Sequence, residues 1–201
     1  MKKKHAIERW SDPLFVSSLE PPLEWVFSEG TPVRDVKLEG INVGSKSPVG
    51  LYYVGLYKKE ITGSDFTFGV FECAFSESKI SEVIFNNCSF EGSSFQKSIV
   101  SRSVFSGASF RGGGCNDSVF EECDFTDCKL RDKPTLPLSF LRSRFSKCDF
   151  SNSVFNGVEF RASCFEECVF VGAKFTNCDL RGVKFLGGSP NQDQVGQGCS
   201  V

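Results

Sequence analysis

Between Phe75 and Phe185, almost every fifth residue is phenylalanine. Of the twenty-three positions 75, 80, 85 and onward, seventeen are Phe. The rest are Ile80, Val100, Cys115, Leu130, Thr135 and Leu180. A period of five fits neither an α-helix, at about 3.6 residues per turn, nor a flat strand, which repeats every two. Self-similarity at a fixed short period marks a solenoid. Two residues before most of these large side chains stands a small one, such as Cys73, Cys88, Ser98, Ala108, Ser118, Ser153 or Cys178. The large and the small residue form an inward-facing pair. The Ser, Asn, Asp, Glu, Lys, Arg and Gly residues around them suit solvent.

Units such as CSFEG, ASFRG, CDFTD, CDFSN and CDLRG resemble the pentapeptide-repeat family. Its consensus is a small residue, Asp or Asn, Leu or Phe, then two variable positions. The resemblance covers roughly residues 64–187, with a strong Phe bias and frequent Ser or Cys at the small position. It implies an all-β fold, a right-handed quadrilateral parallel β-helix, with one pentapeptide per side and 20 residues per coil. Upstream, Leu51, Leu56, Ile61, Phe66 and Phe71 recur at the same period but one residue out of phase. A single-residue deletion is therefore expected between Phe71 and Phe75. The helix starts near residue 50, or as early as Val36 and Ile41, and makes about seven coils, a rod about 33 Å long.

The chain divides into an N-terminal extension (1–35), the β-helix (36–186) and a flexible polar tail (187–201). The repeat is regular from about residue 64 and is interrupted near 131–138. The extension carries Trp10, Trp25 and Pro21-Pro22. It reads as a cap over the first coil or as a docking segment, since a solenoid end exposes a strand edge and an apolar face. Phe75, Phe85, Phe90, Phe105, Phe125, Phe145, Phe150, Phe165 and Phe170 are expected in the core. The tail contains no apolar helix, so the last coil is either bare or covered by a second copy. A homodimer through the C-terminal coil is the corresponding expectation.

Net charge is −2, and residues 63–187 hold 16 acidic against 14 basic side chains. That balance excludes a strongly basic nucleic-acid binder, so no direct nucleic-acid binding is expected. No apolar run approaches the roughly 18 residues of a membrane span, and no membrane partner is expected. Glu8, Arg9, Asp12 and Pro13 stand where a signal peptide needs an apolar segment, and a cytoplasmic location follows as the expectation. Seven of the ten cysteines occupy the small inward position, which reads as buried packing. On a strict 20-residue coil, Cys128, Cys148 and Cys168 stack in one column, a geometry suited neither to zinc nor to a relaxed disulfide. No metal or cofactor is expected.

The one histidine, His5, lies outside the repeat, and Ser-His-Asp or Cys-His chemistry has no base within the rod. A filled β-helix also lacks a substrate cavity. The chain reads as a non-enzyme with no catalytic residues. Function is sought instead where the repeat breaks. Taken at intervals of 20, the column 85, 105, 125, 145, 165 and 185 is all Phe, whereas 75, 95, 115, 135, 155 and 175 reads Phe, Phe, Cys, Thr, Phe, Phe. Around its two weak positions lie a triple glycine (112–114) and Lys133-Pro-Thr-Leu-Pro-Leu138. Pro134 and Pro137 cannot donate ladder hydrogen bonds. The segment either bulges in place or replaces one unit with a five-residue loop, and the second choice shifts all later sides by a quarter turn.

Loops on a regular scaffold concentrate function. Arg111, Cys115, Asn116 and Asp117, with Arg131, Asp132, Lys133, Pro134, Thr135, Leu136 and Pro137, are the candidate partner-binding residues. The architecture favours a protein-interaction scaffold for a macromolecular partner. The family resemblance suggests an alternative. Some bacterial members look like B-form DNA and protect gyrase or topoisomerase IV from quinolone-type inhibitors, which makes a type II topoisomerase a candidate partner. The near-neutral repeat counts against that reading, because phosphate mimicry needs a strongly negative field.

Overall fold

The computed structural model describes residues 3–52 and 54–201. The chain winds into a right-handed quadrilateral parallel β-helix. Its first side is a parallel stack of eight short strands, from Val33–Arg34 through Ile99–Ser101 and Val119–Glu121 to Lys184–Leu186. The third side stacks seven, from Asn42–Val43 through Ser89–Glu91, Ser109–Arg111 and Lys129–Arg131 to Lys174–Thr176. The second side is a column of single parallel bridges running Lys37, Asp65, Ile84, Val104, Asp124, Asp149 and Val169. The fourth pairs Gly113–Gly114 with Leu138–Ser139 and continues through Glu159 and Asp179.

The five-residue unit has a physical reason at each position. The central Phe turns inward and stacks on its counterpart one coil away. The Phe75 and Phe95 rings stack 4.7 Å apart and nearly parallel, and Phe105 with Phe125 and Phe155 with Phe175 repeat the arrangement. All nine Phe residues assigned to the core are buried. The small residue two positions earlier links adjacent coils. Ser98 Oγ donates to Phe75 O at 2.7 Å and accepts from Ser78 N. Ser143 Oγ likewise donates to Cys115 O and accepts from Ser118 N. Such hydroxyls satisfy backbone groups inside the rod, where an orphan would be costly. The last residue of a unit turns the corner in the left-handed region, at Glu77, Asn87, Lys97, Asp127 and Asn177 among others. That region is costly for L-residues but accessible to Gly, Asn and Asp, which are frequent there.

Register locates three departures from the 20-residue coil. Val33 pairs with Ile61 and Val43 with Phe71, an offset of 28. Ile61 pairs with Ile80 and Phe71 with Phe90, an offset of 19, which is the deletion expected between Phe71 and Phe75. Phe120 pairs with Phe145, Leu130 with Phe155 and Gly113 with Leu138, an offset of 25. Residues 133–137 are therefore a looped-out insertion, and every later side is rotated by a quarter turn. The columns drawn on a strict 20-residue spacing need correction. Phe145, Phe165 and Phe185 continue Ile80, Val100 and Phe120, while Phe150 and Phe170 continue Phe85, Phe105 and Phe125. Thr135 is exposed in the loop, and Phe140 takes its place below Cys115. The thiol column is Cys123, Cys148 and Cys168, since Asp149 N bonds Cys123 O and Val169 N bonds Cys148 O, whereas Cys128 N bonds Ser153 Oγ.

The N-terminal segment closes the first coil. Helix α1 (Lys3–Glu8) buries Ala6, the 3-10 turn Arg9–Ser11 buries Trp10, and, after α2 (Pro13–Ser17), α3 (Leu23–Val26) buries Val26. Trp10 Nε1 and Arg9 Nη2 both donate to Glu39 O. The Lys59 ammonium is buried and donates to Val26 O and Thr31 O, each at 2.9 Å, and to Ser28 O, the kind of cation that suits a helix C-terminus. Burial pushes its pKa below the usual lysine value. At the other end, residues 187–201 lie across the last coil, with Val195 opposite Phe175 and Leu180 N bonded to Ser200 O.

A candidate interaction corner

Both insertions leave the rod at one corner, between the third and fourth sides. The first follows Val43 and closes on itself through Gly44 N to Leu51 O at 3.0 Å and Leu51 N to Ser47 Oγ at 3.1 Å. It hooks toward the next coil, where Glu72 accepts from Ser45 N at 3.0 Å and Ser45 Oγ at 2.6 Å. The second follows Arg131 and turns tightly between Lys133 and Leu136, which exchange backbone hydrogen bonds. It bends back over two coils. Leu136 O lies so close to Gly112 that a Cβ there would come within 2.5 Å, and Leu136 Cδ2 approaches Gly92. At its far reach, Lys133 Nζ meets Glu91 Oε1 at 2.8 Å.

The triple glycine answers to this contact. Gly113 sits at a small inward position with φ of 117°, and a Cβ would lie 2.1 Å from Ser93 O. Leu138, buried directly beneath it, is the large residue that uses the room left by a glycine. Gly113 N also bonds Pro137 O, which ties the loop's exit to the rung above.

Glu72 and Glu91 follow the paired residues Phe71 and Phe90 on adjacent rungs, and each is claimed by a different loop. Hydrogen bonds from Ser45 hold the Glu72 carboxyl below its ordinary pKa, and the Lys133 contact does the same for Glu91. The two loops thus meet rung to rung. They enclose a polar recess of about 340 Å³ lined by Ser45, Lys46, Glu72, Glu91 and Lys133, beside a second of about 430 Å³ where Tyr52 joins Gly44, Ser45 and Glu72.

The structure divides the eleven candidate residues. Lys133, Pro134, Thr135, Leu136 and Pro137 form the loop, with Arg131 and Asp132 at its base and Arg111 one rung above Arg131. Cys115 is a correction: it is a core residue, 1% exposed, with its thiol pushed up to about 12 by burial, and no partner reaches it. Asn116 is committed to the rod, since its Oδ1 accepts from Ser139 Oγ and Leu141 N. Asp117 is paired with Arg142 through two contacts of 2.7 and 2.8 Å, which hold its pKa low. The first loop was missed. Its signal lay in Gly44-Ser-Lys-Ser-Pro-Val-Gly50, a turn-rich stretch that separates the apolar residues Val43 and Leu51 by eight positions.

The surface charge is segregated in a way the net value hides. From residue 64 onward, the second side carries Asp65, Asp124, Asp127 and Asp149 and no Lys or Arg. The lower third side, from residue 108 to 177, carries Arg111, Lys129, Arg131 and Lys174 against Asp132 alone.

Comparison with known proteins finds the repeat on both sides of the second loop. A family profile described as pentapeptide repeats (8 copies) matches residues 73–112, and one described as pentapeptide repeat region matches residues 138–196. The gap between them, 113–137, contains the displaced glycines and the loop. No curated protein matches the chain. Solved structures with similarity include a trypsin-treated form of QnrB1, a plasmid-mediated fluoroquinolone resistance protein, at 16% identity, covering 83% of this chain and 90% of that one, with a TM-score of 0.44. Another is HetL, a pentapeptide repeat protein involved in heterocyst differentiation regulation from the cyanobacterium Nostoc sp. strain PCC 7120. It is 11% identical, covers 78% of this chain and 81% of that one, and gives a TM-score of 0.43.

Proposed function

We propose that this chain, which belongs to the pentapeptide-repeat family, is a non-catalytic scaffold that docks a protein partner at the corner where its two loops meet. The observation that carries this reading is their convergence. Two insertions, separated in sequence by about eighty residues, leave the same corner and reach adjacent rungs, where Ser45 holds Glu72 and Lys133 holds Glu91. A tolerated defect has no need of a glycine-lined seat and a tether 42 residues away along the chain. The rest of the rod is a close-packed Phe core that fixes the corner rigidly, which lowers the cost of binding.

A photoreactive amino acid placed at position 136 or 46 and, for comparison, at position 99 on the first side tests this in cells. Cross-links to one partner from the corner and none from position 99 are expected. Cross-links from position 99 alone, or none from the corner, would overturn the reading.

DNA mimicry with gyrase or topoisomerase IV as partner is the narrower version, and the loops are what favour it. The charge does not. The acidic second side places four carboxylates along four rung steps, about 19 Å, where duplex DNA carries about 11 charges. A supercoiling assay with gyrase and a quinolone decides it: rescue or inhibition at low micromolar protein supports topoisomerase binding, and no effect removes it. Pairing of two copies at the C-terminal end belongs to the same proposal, with residues 187–201, which lie across the last coil, forming the contact in place of a bare coil. Sedimentation of a monomer at tens of micromolar would remove that part.

A further inference from the structure

We infer that the third side below the loop corner is a docking strip for a short acidic segment of the partner protein, centred on Arg111 and Arg131. The inference rests on the scaffold reading and adds the chemistry of what is bound. It starts from a census of arginines. The chain has nine. Seven lie within 4.0 Å of a carboxylate: Arg9, Arg34, Arg102, Arg142, Arg144, Arg161 and Arg181. Among the described residues, the two that do not are Arg111 and Arg131, and these two are in register on neighbouring strands.

Like charges directly opposite one another destabilise a sheet. Elsewhere on this rod, arginines are matched by carboxylates across a rung, as Arg102 is by Glu82 and Arg142 by Asp117. Arg111 also has a carboxylate in register, Glu91, on the rung above. That carboxylate is taken by Lys133 from the loop. The loop therefore does more than protrude. It occupies the in-register carboxylate of Arg111 and leaves two arginines on strands about 4.8 Å apart without an ion pair, each able to bind a carboxylate in bidentate fashion. Lys129 faces outward on the same strand as Arg131, and Lys174 lies two rungs below Lys129.

The strip's dimensions select the ligand. From the Arg111 rung to the Lys174 rung is three steps, about 14 Å, the span of about four residues of extended chain. Glu72 and Glu91 stand above it, and the acid-only second side flanks it. A long, wide polyanion such as duplex DNA would overrun the strip onto those carboxylates. A short run of Asp or Glu would not.

Fluorescence anisotropy at low salt, with a labelled hexaglutamate peptide as probe, tests this. Binding that weakens with salt is expected. Arg111→Ala/Arg131→Ala should reduce it by about tenfold or more, while the control Arg102→Ala/Arg144→Ala changes it little. Lys133→Met, which returns Glu91 to Arg111, should weaken it as well. Arg131→Glu should abolish binding yet raise Tm by about 1–2 °C, because it relieves the like-charge pair. A fall in Tm there would remove the premise. No binding, equal loss from the two double variants, or tighter Arg111-dependent binding of a duplex oligonucleotide would each overturn the inference. The scaffold reading would stand or fall separately, on the cross-links from position 136.

Discussion

The coils below residue 138 and the corner between the third and fourth sides above it are built from the same unit and behave differently. Below, register advances by 20 residues without exception from Phe145 to Phe165 to Phe185 and from Phe155 to Phe175, and charges close across rungs, as Arg144 does with Glu166 and Arg161 with Asp179. Above, offsets of 28, 19 and 25 interrupt the 20-residue advance, and Arg111 and Arg131 at the corner go unmatched. Yet the inner columns stay stacked through both regions: Phe125 meets Phe150 across the insertion as squarely as Phe150 meets Phe170 below it. The core demands a large apolar side chain at each inner position. It does not demand a fixed number of residues at a corner, where the extra chain faces solvent.

That contrast orders the predictions. The largest effect is expected in the stacked columns. Phe150→Ala leaves a ring-sized cavity between Phe125 and Phe170 and should cost about 3–5 kcal/mol in denaturant unfolding. A loss below about 1 kcal/mol would mean that the column does not behave as a packed core. Gly113→Ala comes next, where corner and core meet. Its Cβ would strike Ser93 O at 2.1 Å, and about 2 kcal/mol or more is expected. Deleting residues 133–137 should do far less. It joins Asp132 to Leu138, sets Phe140 five residues after Leu130 and restores the 20-residue coil, so Tm should move by no more than about 3 °C while partner cross-links from position 46 are lost. Retained cross-links would reduce the second loop to a passive insertion.

The smallest effect is the pH dependence of the tether. The Glu91 pKa is depressed by Lys133, so the tether's contribution is fully present above the ordinary Glu value of about 4.3. It is lost as pH falls through the lower folded value. With both side chains partly exposed, the contribution stays below about 1 kcal/mol. An NMR titration of the Glu91 carboxyl should show the depressed pKa in the native protein and a return toward the ordinary value in Lys133→Met.

The sequence carried the fold plainly, because each inner Phe and each small partner is a direct imprint of the packing rule. The deletion before Phe75 was legible for the same reason, since it shifts the phase of every later residue. The five-residue insertion was only half legible. An added multiple of five leaves the phase untouched, so Phe140 and Phe145 look identical whether or not Thr135 occupies a side. Only register reveals the quarter turn, and with it the corrected column of Cys123, Cys148 and Cys168. Cys115 entered the candidate patch as a weak link in an inner column beside the triple glycine, but an inner position is buried whether a ring or a thiol fills it. That Arg111 and Arg131 share a column was legible in their 20-residue spacing, whereas the capture of Glu91 by Lys133 was not, because it depends on how the insertion folds back.

The quarter turn and the unmatched corner both require that insertion to be looped out with the core in register across it. Thiol cross-linking measures this directly, in a background with the half-exposed Cys164 and Cys199 changed to serine. Asp124→Cys/Asp149→Cys places two outward thiols on adjacent rungs of the second side, and a short bis-alkylating reagent should bridge them. Asp124→Cys/Arg144→Cys, which would be neighbours on an uninterrupted 20-residue coil, should not be bridged. The opposite result, 124 joined to 144 and not to 149, would put residues 133–137 back into the wall of the rod and contradict the account.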